Sequence, residues 1–189
     1  MLLLSGFNSQ RLAAFFSKGA VATIGNFDGV HRGHQSLIAR LKAAEHRLGL
    51  PSVVIVFEPQ PNEYFNTGGV TPRIMSLSEK IIAFKKLGVA AVCVLKFNHR
   101  LSSIEACDFV HQLVRAFSLK HWVIGDDFRF GKARAGDVQL LKSMGEQLGF
   151  SVEQSHALID IGDRISSTRA RFALQAGDLS LVKQLLGHS

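Results

Sequence analysis

Two histidines three residues apart, each next to a glycine-containing turn, are the most chemically suggestive feature of this sequence. They lie in Gly25-Asn26-Phe27-Asp28-Gly29-Val30-His31-Arg32-Gly33-His34, a stretch that follows the first predicted strand and opens the first predicted helix. A helix N-terminus presents unpaired N–H groups and a partial positive charge, so phosphate binds there readily. Gly29 and Gly33 remove side chains where a phosphate would approach the backbone. His31 and His34 fall one turn apart on one helical face, where two imidazoles can donate hydrogen bonds to phosphate oxygens and to a pentacovalent phosphorus. Zinc is the other reading of paired histidines, but it wants a third and fourth ligand at suitable spacing, and none is near in sequence. The dinucleotide fingerprint G-x-G-x-x-G is absent.

A second anion-binding pattern lies near the end of the chain. Ser166, Ser167 and Thr168 are good N-cap residues before a helical segment, and Arg171 follows Thr168 by three. Hydroxyls, helix N–H groups and a guanidinium would then converge on one anion. The run Gly125-Asp126-Asp127-Phe128-Arg129-Phe130-Gly131-Lys132 approaches a P-loop. Its spacing is one residue too long, however, and Ala133 stands where Ser or Thr is required. The following segment, Lys132–Gly136, reads as a mobile loop. In Phe57-Glu58-Pro59-Gln60-Pro61 the two prolines stiffen a strand exit, because each fixes φ and disfavours helix at the residue before it.

These stretches need elements to hold them together. Short β-branched runs mark strands at Val21–Gly25, Ser52–Phe57, Ala90–Leu95, His121–Gly125 and Phe150–Gln154. Between the first two, Leu37, Ile38, Leu41, Ala44 and Leu48 share a helical face that Gly49 and Pro51 terminate. Helical patterns also occupy Ser78–Leu87, Ile104–Phe117 and Val138–Leu148, and two more, near Thr168–Ala176 and Leu179–Leu186, close the chain. Strands alternating with helices predict an α/β fold: a Rossmann-like open parallel sheet of about five strands with helices on both faces. Ligands then bind beyond the carboxyl ends of the strands, at the switch point. The loops to examine are Gly25–Gly33, Glu58–Met75, Lys96–Ser103 and Asp126–Gly136.

Composition agrees with one globular unit. Of 189 residues 47% are hydrophobic and 20% charged, which excludes a disordered or low-complexity chain. The net charge of +7 favours anionic partners without choosing among nucleotides, RNA and lipid. The start lacks a basic n-region, and no run approaches the ~20 apolar residues of a membrane span. Cys93 and Cys107 form no disulfide framework and no C-x-x-C pair, so a cytoplasmic location is expected. Fourteen Phe against one Trp and one Tyr favour apolar packing.

His31-Arg32-Gly33-His34 resembles the H-x-G-H signature of the nucleotidyltransferase superfamily. The longer run Gly25–His34 is similar to the adenylyltransferase module of prokaryotic FAD synthetase, the bifunctional riboflavin kinase/FMN adenylyltransferase family. Phe57–Pro61, Gly125–Gly131 and Ile165-Ser166-Ser167-Thr168-Arg169-Ala170-Arg171 match further motifs of that family in order, so the resemblance spans essentially the whole chain. It implies the nucleotidyltransferase fold and the reaction ATP + FMN → FAD + pyrophosphate. His31, His34 and Arg171 would be catalytic. Gly25, Asn26, Phe27, Asp28, Gly33, His34, Ser166, Ser167, Thr168 and Arg171 would bind ATP. Phe57, Pro59, Pro61, Asp127, Phe128 and Arg129 would bind FMN, under a flap over Asn62–Arg73 from which Tyr64, Phe65 and Arg73 reach the ligand. Ala170 departs from the usual Ile or Val, a change expected to alter packing and not chemistry.

No carboxylate cluster specifies a protein-built metal site, so Mg²⁺ is expected to arrive mainly on the ATP phosphates. Family proteins continue past a Leu-Leu-Gly-His-like junction into a riboflavin kinase domain, whereas this sequence stops at Leu185-Leu186-Gly187-His188-Ser189. Residues 1–189 are therefore expected to be the adenylyltransferase domain, either part of a longer protein or a short form. Two alternatives remain. One is another H-x-G-H nucleotidyltransferase, acting on nicotinate mononucleotide, phosphopantetheine or a cytidylyl acceptor. The other is a non-catalytic nucleotide- or RNA-binding module, against which stand the scattered positive charge and the lack of an RNA-stacking motif. Partners are expected to be the small molecules ATP and FMN, with neither nucleic acid nor membrane.

Overall fold

A parallel sheet carries the chain, and its strands form where the β-branched runs lie between helix-period segments. The structure, a computed structural model, describes residues 1–7, 10–65, 72–160 and 163–188. In chain order the elements are β1 (Leu2–Ser5), α1 (Gln10–Phe15), β2 (Ala20–Ile24), α2 (Arg32–Leu48), β3 (Ser52–Glu58), α3 (Pro61–Phe65) and α4 (Leu77–Lys86). There follow β4 (Ala91–Lys96), α5 (His99–Ser102), α6 (Ala106–Phe117), β5 (Leu119–Gly125), α7 (Val138–Leu148) and β6 (Ser151–Ser155). A small hairpin of β7 (Ile159–Asp160) and β8 (Asp163–Arg164) leads to α8 (Ser167–Gln175) and α9 (Leu179–Leu186).

The six long strands pair in the order β1-β4-β3-β2-β5-β6, all in parallel. The five expected strands are present with ends shifted by one or two residues. The sixth, β1, adds itself to the free edge of β4 with Leu2 opposite Ala91.

Burial on both faces explains why β2, apart from Thr23, and most of β3 are apolar. Successive side chains alternate between two cores. Ala20, Ala22 and Ile24 of β2 pack with Phe16, Phe109, Leu113 and Phe117 on one side. Val21 joins Ile38, Leu41 and Phe84 of α2 and α4 on the other. Ile165, Ala170, Ala173, Val182, Leu185 and Leu186 form a third, smaller cluster that joins α8 to α9. Ala170 is fully buried in it.

The strand order reverses at β2. From there the chain proceeds outward through β3 and β4, then returns to lay β5 and β6 on the opposite side. A crevice therefore opens beyond the carboxyl ends of β2 and β5, where both glycine-rich loops leave the sheet.

Candidate active site

The loop after β2 is shaped by its own backbone before any side chain acts. Phe27, before a 3₁₀ turn at Asp28–Val30, and Val30, its last residue, both have positive φ, and the chain turns sharply into α2. Phe27 is buried edge-on against Phe84, anchoring the turn to the core. His31 caps α2: its Nδ1 accepts the backbone N–H of His34 at 3.3 Å. A neutral ring that accepts at Nδ1 carries its proton on Nε2. The two imidazoles stack with centroids 3.6 Å apart and planes 17° from parallel, and His34 also packs on Phe27. Gly33 makes this geometry possible, because a Cβ there would stand 3.2 Å from the His31 ring and 3.5 Å from the Ile165 carbonyl.

Both histidines are held neutral. Burial, reinforced by the nearby Arg164 guanidinium, pushes His31 down to about 4. Burial, then His31, Lys80 and Arg164, takes His34 well below its ordinary value. At pH 7 they are hydrogen-bond donors and acceptors, not cations. Local positive charge must come from elsewhere.

Asp28 organises that charge. Its carboxylate is 2% exposed and accepts the backbone N–H groups of Ile74 and Met75. Arg171 Nη2 donates to it at 2.5 Å, and the buried Lys80 ammonium lies 4.0 Å away while donating to the Asn26 carbonyl. Asp28 lines the cavity, but its carboxylate is spent inside the protein. Arg171 is likewise held, its Nε donating to the Pro72 carbonyl, which leaves Nη1 for a ligand. Ser166 caps α8, the Ser167 hydroxyl donates to the Asp28 carbonyl, and Thr168 is exposed to the cavity. Of the three hydroxyls, only that of Thr168 is uncommitted among the described residues.

A cavity of about 430 Å³ is walled by both motifs. It brings together Gly25, Asn26, Phe27, Asp28, His31, Gly33, His34, Ser166, Ser167, Thr168 and Arg171 with Phe57, Pro61, Asp127, Phe128 and Arg129. Pro59, joined to Glu58 by a cis peptide bond, lines neither this cavity nor its neighbour, and neither do Tyr64 and Arg73 of the expected flap. Beside it opens a chamber of about 460 Å³ lined by Phe57, Phe65, Phe97, Phe109, Phe128 and Phe130. The two share a rim of Ile24, Phe57, Pro61, Asn62, Phe128, Arg129 and Arg134. A larger cavity, about 920 Å³ between β1, α1 and α6, contains none of the motif residues.

Residues 66–71 of the expected flap lie outside the described residues. Its described ends are tied down: Arg73 pairs with Glu58 and Glu63 and is not free to meet a ligand, while Tyr64 and Phe65 pack on Phe97. The segment Lys132–Gly136, expected to be mobile, is closed by two backbone hydrogen bonds between Phe130 and Gly136. Sequence reasoning missed Arg164, which bridges Asp126 and Asp127 at 3.0 Å each, as well as Asn62, Arg134 and the Ser155–Leu158 wall. Only Arg164 left a local signal, a cation directly before a capped helix.

With this geometry described, likeness to known proteins becomes specific. The sequence profile of the FAD synthetase family matches residues 15–169. A bifunctional riboflavin kinase/FMN adenylyltransferase of Pseudomonas fluorescens is 46% identical over 171 residues, 90% of this chain and 55% of the relative. Its counterpart in Escherichia coli K12 is 40% identical over 189 residues, all of this chain and 60% of the relative. The chain thus spans less than two thirds of either relative. Among solved structures, a Streptococcus pneumoniae protein described as a macrolide-efflux protein superposes with a TM-score of 0.84 at 26% identity, covering 100% of this chain and 62% of that one. No described helix here is long and apolar enough to cross a membrane. A pantoate-beta-alanine ligase from Francisella tularensis, with TM-score 0.62 at 13% identity over 97% of this chain and 77% of its own, shares the fold. The profile match covers both H-x-G-H histidines and all but the end of the second phosphate motif, and on that ground the chain belongs to the FAD synthetase family.

Proposed function

We propose that residues 1–189 form an FMN adenylyltransferase domain, which transfers AMP from ATP to FMN and releases pyrophosphate. The observation that carries this reading is the shared rim between the histidine-lined cavity and the phenylalanine-lined chamber. A planar aromatic ring system fits the chamber. A phosphate on a flexible stem would cross the rim and meet the imidazoles. FMN has that shape, and an acceptor without a large apolar ring would leave the phenylalanines uncovered.

Chemically, an oxygen of the FMN phosphate forms a bond to the α-phosphorus of ATP. The bond from that phosphorus to the α,β-bridging oxygen breaks, and pyrophosphate leaves with the electron pair. The attacking phosphate is ionised at pH 7, so no strong base is needed. Catalysis rests on positioning and on donors aimed at developing charge. His31 Nε2–H and the His34 ring would contact the α-phosphate from the start of α2, with Gly25 to Asp28 and Gly33 forming the floor under ATP. Arg171 Nη1, Thr168 and the first N–H groups of α8 would meet the β- and γ-phosphates. Phe57, Pro61, Asp127, Phe128 and Arg129 would border the flavin.

The described residues contain no group of three or more metal-ligating side chains, and Asp126 and Asp127 are engaged by Arg164. They do not build a magnesium cage, and the ion is assigned to the ATP phosphates. The cytoplasmic location belongs to the same proposal, supported by the substrates. So does fusion to a riboflavin kinase domain in a longer protein, as the names of the relatives suggest.

The test is direct. Incubated with FMN, ATP and Mg²⁺, the chain should form FAD and pyrophosphate, and riboflavin in place of FMN should give no FAD. Pyrophosphate release with nicotinate mononucleotide or phosphopantetheine but not FMN would move the chain to another nucleotidyltransferase branch. RNA binding without turnover on any acceptor would make it a binding module.

A further inference from the structure

Four guanidinium groups line the histidine cavity; Arg171 rests on Asp28 beside the second phosphate motif, and two of the other three are occupied. Arg164 bridges Asp126 and Asp127. Arg129 donates from Nε to the Arg134 carbonyl and lies 3.7 Å from Asp137. The third, Arg134, has neither an ion pair nor a side-chain hydrogen bond among the described residues, although it lines both the histidine cavity and the aromatic chamber.

Its placement is enforced at some cost. Ala133 and Arg134 both have positive φ, 52° and 58°, a left-handed conformation that side chains with a Cβ adopt reluctantly. Four contacts hold the loop there. Phe130 and Gly136 exchange two backbone hydrogen bonds, the Lys132 N–H donates to the Ile104 carbonyl at 2.8 Å, and Arg129 ties down the Arg134 carbonyl. Gly131 packs so closely on α6 that a Cβ would fall 2.5 Å from Ala106 Cα. Strain over-determined by its surroundings points to function when it presents a group to a ligand site.

We infer that Arg134 receives the phosphate of the acceptor, holding it on the rim between the aromatic chamber and the paired imidazoles. This deepens the adenylyl-transfer reading and rests on it. Arg129 and Arg164 are already ion-paired, Arg171 is directed to the second phosphate motif, and both histidines are uncharged at pH 7. A phosphate dianion entering over the carboxylate of Asp127 therefore needs one uncommitted cation, and a guanidinium can engage two of its oxygens at once.

Calorimetric titration of the chain with FMN and with riboflavin separates this role from a structural one, because the two flavins differ only by the phosphate. Wild type should bind FMN more tightly than riboflavin. Arg134→Ala should weaken FMN about 10- to 100-fold, the span for one charge-assisted contact, and leave riboflavin within about twofold. Arg134→Lys should recover part of the loss. In turnover the KM for FMN should rise while that for ATP stays put. Arg134→Gly should lose the same preference while its Tm rises, since glycine accepts positive φ without strain. Unchanged FMN binding, or equal weakening of both flavins, would overturn the assignment of Arg134 alone. Failure of the wild-type chain to bind either flavin would overturn it together with the FMN reading.

Discussion

Arg171 rests on Asp28 across 143 residues of sequence, Nη2 to Oδ2 at 2.5 Å. The same carboxylate orders Ile74 and Met75 and faces the Lys80 ammonium. Asp28 thus sets the direction of a guanidinium that the second phosphate motif contributes, and it does so while 2% exposed. Asp28→Asn should strand the buried Lys80 and the part-buried Arg171 and cost about 3–5 kcal/mol of stability, the range for breaking a buried pair from one side. Urea unfolding measures this, and a loss under 1 kcal/mol would mean that water or a rearranged side chain takes over. Arg171→Ala should instead spare flavin binding and raise the KM for ATP at least about tenfold, because its free Nη1 has no role toward an apolar ring.

Removing the His34 ring should lower kcat by about 10²–10³-fold, as expected for loss of one preorganised donor at the transferring phosphate. The ring also stacks on His31 and packs on Phe27, so Tm should fall by a few degrees in His34→Ala. Steady-state kinetics beside a thermal melt read both effects. Reduced Tm with normal turnover would make His34 a packing residue only.

The buried imidazole of His31 predicts an acid-sensitive fold. Folded, it takes up a proton only near pH 4; unfolded, near 6.5. Between these values unfolding binds a proton, so stability is full above pH 6.5 and falls with acid by about 1.4 kcal/mol per pH unit. His31→Asn keeps a side chain suited to capping α2 and removes the titration. Between pH 6.5 and 5 wild type should lose about 2 kcal/mol more than the variant in urea unfolding; equal losses would place the acid sensitivity elsewhere.

Gly33→Ala opposes two effects. Alanine favours the helix by about 1 kcal/mol, yet its Cβ would press on the His31 ring at 3.2 Å. The helix gain should hold Tm near wild type while the displaced imidazole lowers kcat by about 10- to 100-fold. Undiminished turnover would show that the ring has room to move.

Local spacing made the sheet and the first phosphate loop readable. The β-branched run at Ser52–Phe57 is a central strand, and His31 and His34 meet because a helical turn brings them together. Leu2–Ser5 carried no such signal. Four residues on an edge, with only Leu4 buried, look like any short apolar start until β4 offers them a ladder. Arg134 and Asn62 gain meaning only from the rim where two cavities meet. Asp28 entered the expected ATP site with its motif, and nothing near it in sequence discloses Arg171, Ile74 and Met75 as the partners of its carboxylate. Pro59 was carried in with its motif, although the side chains of Phe57 and Pro61 face the cavity and that of Pro59 does not.

The hydrogen bond from Ser167 to the Asp28 carbonyl joins positions 139 residues apart, which sets a schedule for a chain made from its N-terminus. At about 5–20 residues per second, the histidine loop leaves the ribosome on the order of 10 s before the helix that completes its phosphate site. Until then Asp28 lacks Arg171 and its carbonyl lacks the Ser167 hydroxyl. A nascent chain would carry its imidazoles early and lack the second half of its phosphate site until α8 has been made.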